Sequence, residues 1–143
     1  MMITPAYSVS ATATGGGRNG SVKTSDGSFD LTMTSPKELG GSGTGNNPEQ
    51  LFAAGYAACY LGAMRFAVTQ DKTLPQVPED ATVTSTVGIG GRPDKGFGLV
   101  VTLDVGLPGL NADDAKRLAD AGHEICPYSH ATKGNISVET RLV

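Results

Sequence analysis

Asn47 to Val68, NPEQLFAAGYAACYLGAMRFAV, is the stretch around which the rest of the chain is arranged. Asn47 suits an N-cap, Pro48 suits the first helical position, and Gln50 completes a capping-box spacing. Beyond them only glycine interrupts a helical pattern of about twenty residues. At about 100° per residue, Ala54, Gly55, Ala58, Cys59, Gly62 and Ala63 share one half of the cylinder, with Leu51, Phe52 and Phe66 at its ends. Tyr56, Tyr60, Leu61, Met64 and Arg65 share the other half. Small side chains let another backbone approach closely, and a thiol stands in the middle of them. Cys59 is therefore the first candidate for chemistry.

Upstream of this helix, Tyr7, Val9, Ala11 and Ala13 alternate as in a strand, and Gly15 to Gly20 turns the chain while exposing Arg18. Val22 to Thr24 and Phe29, Leu31 and Met33 predict a hairpin closed at Ser25-Asp26-Gly27. Residues 37–47, KELGGSGTGNN, read as a mobile glycine-rich loop. They lack the Lys-Ser/Thr ending of a phosphate-binding loop. Downstream, Leu74 to Pro78 is a linker. Thr82 to Ile89 and Phe97 to Val105 predict an antiparallel pair around Gly90 to Asp94. A second helix is expected from Asn111, with Asp113 and Asp114 in its first turn, to Cys126, where Pro127 stops it. Ile136, Val138 and Leu142 predict a last strand. Helices set apart from runs of hairpins give an α+β class, with antiparallel sheets packed around the long helix.

The chain has 143 residues, which suits a single domain over 1–143 with a core that needs no disulfide staples. Its net charge of −3 and the lack of a basic run argue against nucleic acid or an anionic membrane as partner. Residues 51–68 are long enough to test as a membrane span, but they are rich in Ala, Gly and Tyr and contain Arg65, so a buried core helix is expected. The N-terminus carries neither a charged nor an apolar leader region, which predicts a cytoplasmic protein. In that reducing setting two cysteines are reactive or inert more often than structurally bridged.

Cys59 and Cys126 are those two cysteines. A buried free cysteine is commonly a small hydrophobe, whereas a nucleophilic thiol needs a lowered pKa and hence a cation beside it. Mid-helix, Cys59 gains little from the helix N-terminus, and Arg18 in its glycine turn is a plausible supplier. Cys126 stands where a helix ends, in a position that lets a thiol approach another. Two other readings compete. His123, Cys126 and His130 with Cys59 would form a zinc set, though the spacing, with a proline inside it, is not that of a usual ligand pair. Cys59 with His123 or His130 as base would form a hydrolase pair, without a recognisable oxyanion hole.

NPEQLFAAGYAACYLGAM, with TATGGGRNG, SDGSFDL, SPKELGG and EICPYSHATKGNISV, resembles the OsmC/Ohr peroxidases, specifically the organic hydroperoxide resistance branch. The resemblance covers essentially the whole chain in order. It implies a thiol peroxidase that reduces organic hydroperoxides to alcohols, with Cys59 as peroxidatic and Cys126 as resolving cysteine. Arg18 and Glu49 are implied as the charged pair that tunes the thiolate. The resemblance also implies an intertwined homodimer, no bound cofactor or metal, and an external dithiol, dihydrolipoamide or a lipoylated protein, as reductant. Asn19, Asn46 and His130 depart from the family's commoner aspartate, threonine and asparagine, and none is one of the four functional positions.

Two physical expectations accompany the resemblance. Glu49 precedes Cys59 by ten residues, about 15 Å along a continuous helix, so it acts from the other subunit or only through Arg18. Phe52, Tyr56, Met64 and Phe66, with residues 37–47, are expected to line an apolar pocket that favours alkyl or fatty-acid hydroperoxides over hydrogen peroxide. The alternatives are the sister OsmC branch with broader hydrogen peroxide activity, and a non-catalytic or zinc-stabilised ligand-binding domain on the same scaffold.

Overall fold

The structure, a computed structural model, describes residues 2–143. Its contacts divide the chain into two compact units, Met1–Leu51 and Phe52–Val143, and the division falls inside the long helix. The α+β class is observed, with two three-stranded sheets and a long helix.

In the first unit, β1 (Ala11–Gly15), β2 (Gly20–Thr24) and β3 (Asp30–Thr32) form an antiparallel meander. The β2–β3 turn is closed by the Thr24 N–H donating to the Phe29 carbonyl at 3.0 Å. The opening strand begins later than its alternation predicts. Tyr7 and Val9 lie outside it, 76% and 53% exposed, with no pairing strand opposite them among the described residues.

Residues 37–47 also differ from expectation. They contain a 3₁₀ turn, Lys37–Leu39, and are tied down by backbone bonds from Gly41 to Pro36, Gly43 to Ser35 and Asn46 to Thr32. Gly41 is there for close approach: a Cβ on it would stand 2.0 Å from the Ser35 carbonyl oxygen. Glycine is required here by contact, so its abundance misled the reading of mobility.

The long helix, α1, runs unbroken over Pro48–Gln70. Its start is reciprocal: Asn47 Oδ1 accepts from the Gln50 N–H at 2.9 Å, and Gln50 Oε1 accepts from the Asn47 N–H at 3.0 Å.

In the second unit, Tyr56, Tyr60, Ala63, Met64, Ala67 and Val68 bury one face of α1. Of the two expected halves of the cylinder, the one with Tyr56, Tyr60 and Met64 faces the core, and Ala63 joins it. Ala54, Ala58, Gly62 and Phe66 form an exposed i, i+4 row, while the large side chains point inward. Size explains the choice, since burying a Met or Leu-sized side chain stabilises by about 1.5–3 kcal/mol and burying alanine by far less.

That buried face packs on β5 (Phe97–Gly106), through Val101, Leu103 and Val105, and on Leu118 of α2 (Ala112–Ile125). β4 (Thr82–Gly91) pairs antiparallel with β5, in a register that includes Val87 opposite Val101. α2 starts at Asn111, whose Oδ1 accepts from the Asp114 N–H at 2.8 Å, and ends at Cys126 as expected.

A further helix, α3 (Pro127–Thr132), follows at once. Pro127 breaks α2 but suits the first position of a new helix, and the sequence reading took only the first meaning. The last strand, β6 (Val138–Leu142), pairs parallel with β5, so this sheet is mixed where an antiparallel one was expected. The helices between β5 and β6 carry the chain back to the end where β5 began, which makes it a crossover connection.

Candidate active site

Cys59 and Cys126 come together although 67 positions separate them. Cys126 Sγ faces Cys59 Sγ at 3.7 Å, and both thiols are free. Cys59 sits half-buried on α1, where its rise past Tyr56 and before Tyr60 aims it between the buried and exposed faces. Cys126 is fully buried. It is the single residue between α2 and α3, with φ −67° and ψ 119°, and it ends one helix while beginning the next.

Burial pushes the Cys59 thiol above its ordinary pKa. The Tyr128 backbone N–H pulls it down, and the neighbouring Cys126 raises it further. The net direction is upward. The thiolate expected at Cys59 is therefore not produced by the Phe52–Val143 unit on its own, and a desolvated thiol with another thiol against it has no reason to ionise.

In the first unit, Arg18 projects from the β1–β2 turn and meets Glu49 in the first turn of α1. Nη2 donates to Oε1 at 2.6 Å and Nη1 donates to Oε2 at 3.1 Å. The pair is bidentate and partly enclosed, with the Glu49 side chain 12% exposed and that of Arg18 41%. The guanidinium holds the Glu49 carboxyl below its ordinary pKa, and the carboxylate raises that of Arg18. Because α1 is continuous, Glu49 lies about 15 Å along the axis from the Cys59 position.

The four expected pocket residues are not gathered around Cys59 within this chain. Met64 is fully buried in the core, against Gly122, and Phe66 is 52% exposed on the opposite face. Phe52 packs edge-on against both Tyr56 and Tyr128, at 6.2 and 5.8 Å between ring centroids. Tyr56 is fully buried, and its hydroxyl turns toward a cavity of about 410 Å³ that His123, Ser129, Thr132 and Thr140 also line. Size and apolarity select a core position as readily as a pocket wall, and in Met64 the core won.

Ser129, Thr132 and Thr140, which sequence reasoning missed, join Tyr56 and His123 in a hydroxyl–imidazole network. His123 Nδ1 meets Ser129 Oγ at 2.8 Å, and Nε2 meets Thr140 Oγ1 at 2.7 Å. Tyr56 Oη meets Ser129 Oγ at 3.0 Å and Thr132 Oγ1 at 3.3 Å. The His123 ring also packs on Tyr60 at 4.7 Å, and burial holds its pKa below the ordinary value. His123 was considered only as a metal ligand or base. The available signal was the HEICPYS segment itself, which sets a ring and a hydroxyl on either side of a proline bend.

Both His123 ring nitrogens are engaged by hydroxyls, and Cys126 faces Cys59. Among the described residues no group of three His, Cys, Asp or Glu side chains is placed to hold a metal ion. By length and composition α1 would pass for a membrane span, but its inner face is the core of the Phe52–Val143 unit.

Comparison with known proteins agrees with the geometry. The profile of the OsmC-like protein family matches residues 41–141. An organic hydroperoxide resistance protein of Xanthomonas axonopodis pv. citri (strain 306) is 49% identical over 137 residues, covering 95% of this chain and 94% of the relative. The solved structure of an organic hydroperoxide resistance protein from Legionella pneumophila superposes with a TM-score of 0.89 at 45% identity, covering 97% of this chain and 98% of the other. That of OhrB from Bacillus subtilis gives 0.83 at 38% identity, covering 96% and 98%. The chain belongs to the OsmC-like family, in its organic hydroperoxide resistance branch.

Proposed function

We propose that the protein is a thiol peroxidase that reduces organic hydroperoxides to alcohols. One observation carries this reading: the chain's two cysteines, distant in sequence, face each other at 3.7 Å as free thiols. The names of its relatives support the substrate class.

In this scheme the Cys59 thiolate attacks the distal peroxide oxygen, the O–O bond breaks, and the alkoxide leaves to take up a proton. Cys59 becomes a sulfenic acid. Cys126 then attacks that sulfur, the S–S bond forms, and the sulfenic oxygen departs as water with the Cys126 proton. An external dithiol restores both thiols by exchange and becomes a disulfide itself. Dihydrolipoamide or a lipoylated protein is the reductant that the family resemblance supplies.

Because the surroundings of Cys59 in its own unit raise its pKa, ionisation needs a cation. Arg18 fills that role by resemblance, with Glu49 fixing the guanidinium plane. The same guanidinium would donate to the peroxide oxygens as charge moves onto them.

We also propose that the active form is a homodimer. In the second unit the exposed row Ala54, Ala58, Gly62 and Phe66 is apolar surface that a second copy would cover. Sedimentation at micromolar concentration tests this, with a monomer as the contrary result. A cytoplasmic setting fits two thiols that must return to the reduced state.

The test of the peroxidase is a thiol titration before and after one equivalent of cumene hydroperoxide. Two thiols per chain are expected to become one intramolecular disulfide, and Cys59→Ser to abolish the loss. Two unchanged thiols in the wild type would reject the reading. Equal turnover of hydrogen peroxide would place the protein with the sister branch.

A further inference from the structure

We infer that His123 is the positioning residue of the resolving step: its bond to Ser129 braces the α2–α3 elbow and so sets where Cys126 stands relative to Cys59. This rests on the peroxidase reading above and adds a residue to it.

Cys126 is a one-residue hinge. Its N–H donates back to the Gly122 carbonyl in α2 at 2.9 Å, and its carbonyl accepts from the His130 N–H in α3 at 3.0 Å. Each half of its backbone is thus fixed to a different helix, and its own φ and ψ are what separate them. A small change in that angle swings α3 against α2 and displaces the Cys126 sulfur between them. Condensation requires the two sulfurs to close from 3.7 Å to about 2.05 Å along the direction of the departing oxygen. Such a trajectory tolerates little play at the hinge.

One side-chain bond spans the elbow. His123 lies in the last turn of α2, Ser129 in α3, and Nδ1 to Oγ is 2.8 Å. Both ends are held from behind. Nε2 is bonded to Thr140 of β6, and Ser129 Oγ to the buried Tyr56 of α1. Thr132 Oγ1 donates to the Tyr128 and Ser129 carbonyls, and the His123 tautomer sets which partner donates at Ser129 and at Thr140. The brace therefore ties two elements of the core, α1 and β6, to the two helices that flank Cys126. None of these hydrogen bonds involves either sulfur, so His123 acts through the hinge.

The two ring nitrogens can be replaced separately. In His123→Asn the amide reaches the Nδ1 position and keeps the bond to Ser129. In His123→Gln it reaches the Nε2 position and keeps only the bond to Thr140. The experiment follows a single turnover of the full-length protein with one equivalent of cumene hydroperoxide, reading loss of the Cys59 thiol, dimedone-trapped sulfenic acid and disulfide.

Wild type is expected to form disulfide with little trapping. In His123→Ala and Ser129→Ala, Cys59 oxidation is expected to keep its rate, while disulfide formation slows about tenfold or more and the dimedone adduct accumulates. His123→Asn is expected to restore most of the rate and His123→Gln not to. Should the alanine variants fail to fold by circular dichroism, the Asn and Gln pair decides. Equal disulfide rates in those two variants, or a wild-type rate in His123→Ala, would overturn the inference while leaving the peroxidase intact. Absence of disulfide in the wild type would remove both.

Discussion

Arg18 holds Glu49 by two near-parallel N–H···O bonds, of 2.6 and 3.1 Å, between a β-turn and the first turn of α1. A fork of this kind fixes the guanidinium plane as well as its position, which a single contact would not. Glu49→Ala frees the guanidinium to rotate among solvent-exposed conformers. Its kcat/KM for cumene hydroperoxide is expected to fall about tenfold or more, and Arg18→Lys to fall similarly because an ammonium cannot fork. Steady-state assays with a dithiol reductant check this, and a wild-type value in Glu49→Ala would contradict the orienting role.

Beside the carboxyls of Asp26, Asp71, Asp94 and Asp104, two partly enclosed groups make the folded chain sensitive to acid. Both the Glu49 carboxyl and the His123 imidazole have folded pKa values below their ordinary ones, so the unfolded chain binds protons that the native state resists. Each contributes stability above its unfolded pKa that is lost as pH falls through its folded one. The His123 part starts to fade below about 6.5 and the Glu49 part below about 4.5. Urea midpoints taken from pH 8 to pH 3 are expected to fall in that order. His123→Asn should flatten the upper segment and Glu49→Gln the lower, and parallel curves would refute the assignment.

Ionisation of Cys59 is the step that most needs help. Its own unit raises the thiol pKa, so any depression must come from a cation outside it. In a Cys126→Ala background, the pH midpoint of iodoacetamide alkylation is expected to lie higher in Arg18→Met than with Arg18 present. An unchanged midpoint would show that Arg18 does not set the charge on the sulfur.

Gly122 is the tightest helix contact in the core. A Cβ there would stand 2.6 Å from Met64 Cγ and 3.2 Å from the Tyr60 ring. Gly122→Ala is expected to destabilise by about 1–3 kcal/mol as Met64 is forced aside. The same shift would disturb Tyr60, whose hydroxyl donates to the Ala119 carbonyl at 2.6 Å. Thermal unfolding reads the cost, and a variant as stable as wild type would mean that Met64 repacks freely.

Local rules explain what could be read from residue order. The Asn47–Gln50 capping box, the Asn111 cap and the stop at Cys126 each depend on residues within one turn of one another, so their spacing is legible without a fold. The strand pair Thr82–Gly91 with Phe97–Gly106 follows from its alternation in the same way. The family was carried by whole segments in order.

Nothing local told which half of α1 faces inward, because an Ala/Gly row and a Tyr/Met row have the same period. The choice fell to what β5 and α2 offered to pack against, and they took Tyr56, Tyr60 and Met64. The parallel placement of β6 and the bracing of Cys126 by Tyr56, His123, Ser129 and Thr140 depend likewise on elements from distant parts of the chain. Such contacts form when separate surfaces bury each other, and neither partner's neighbours in sequence carry a trace of the other.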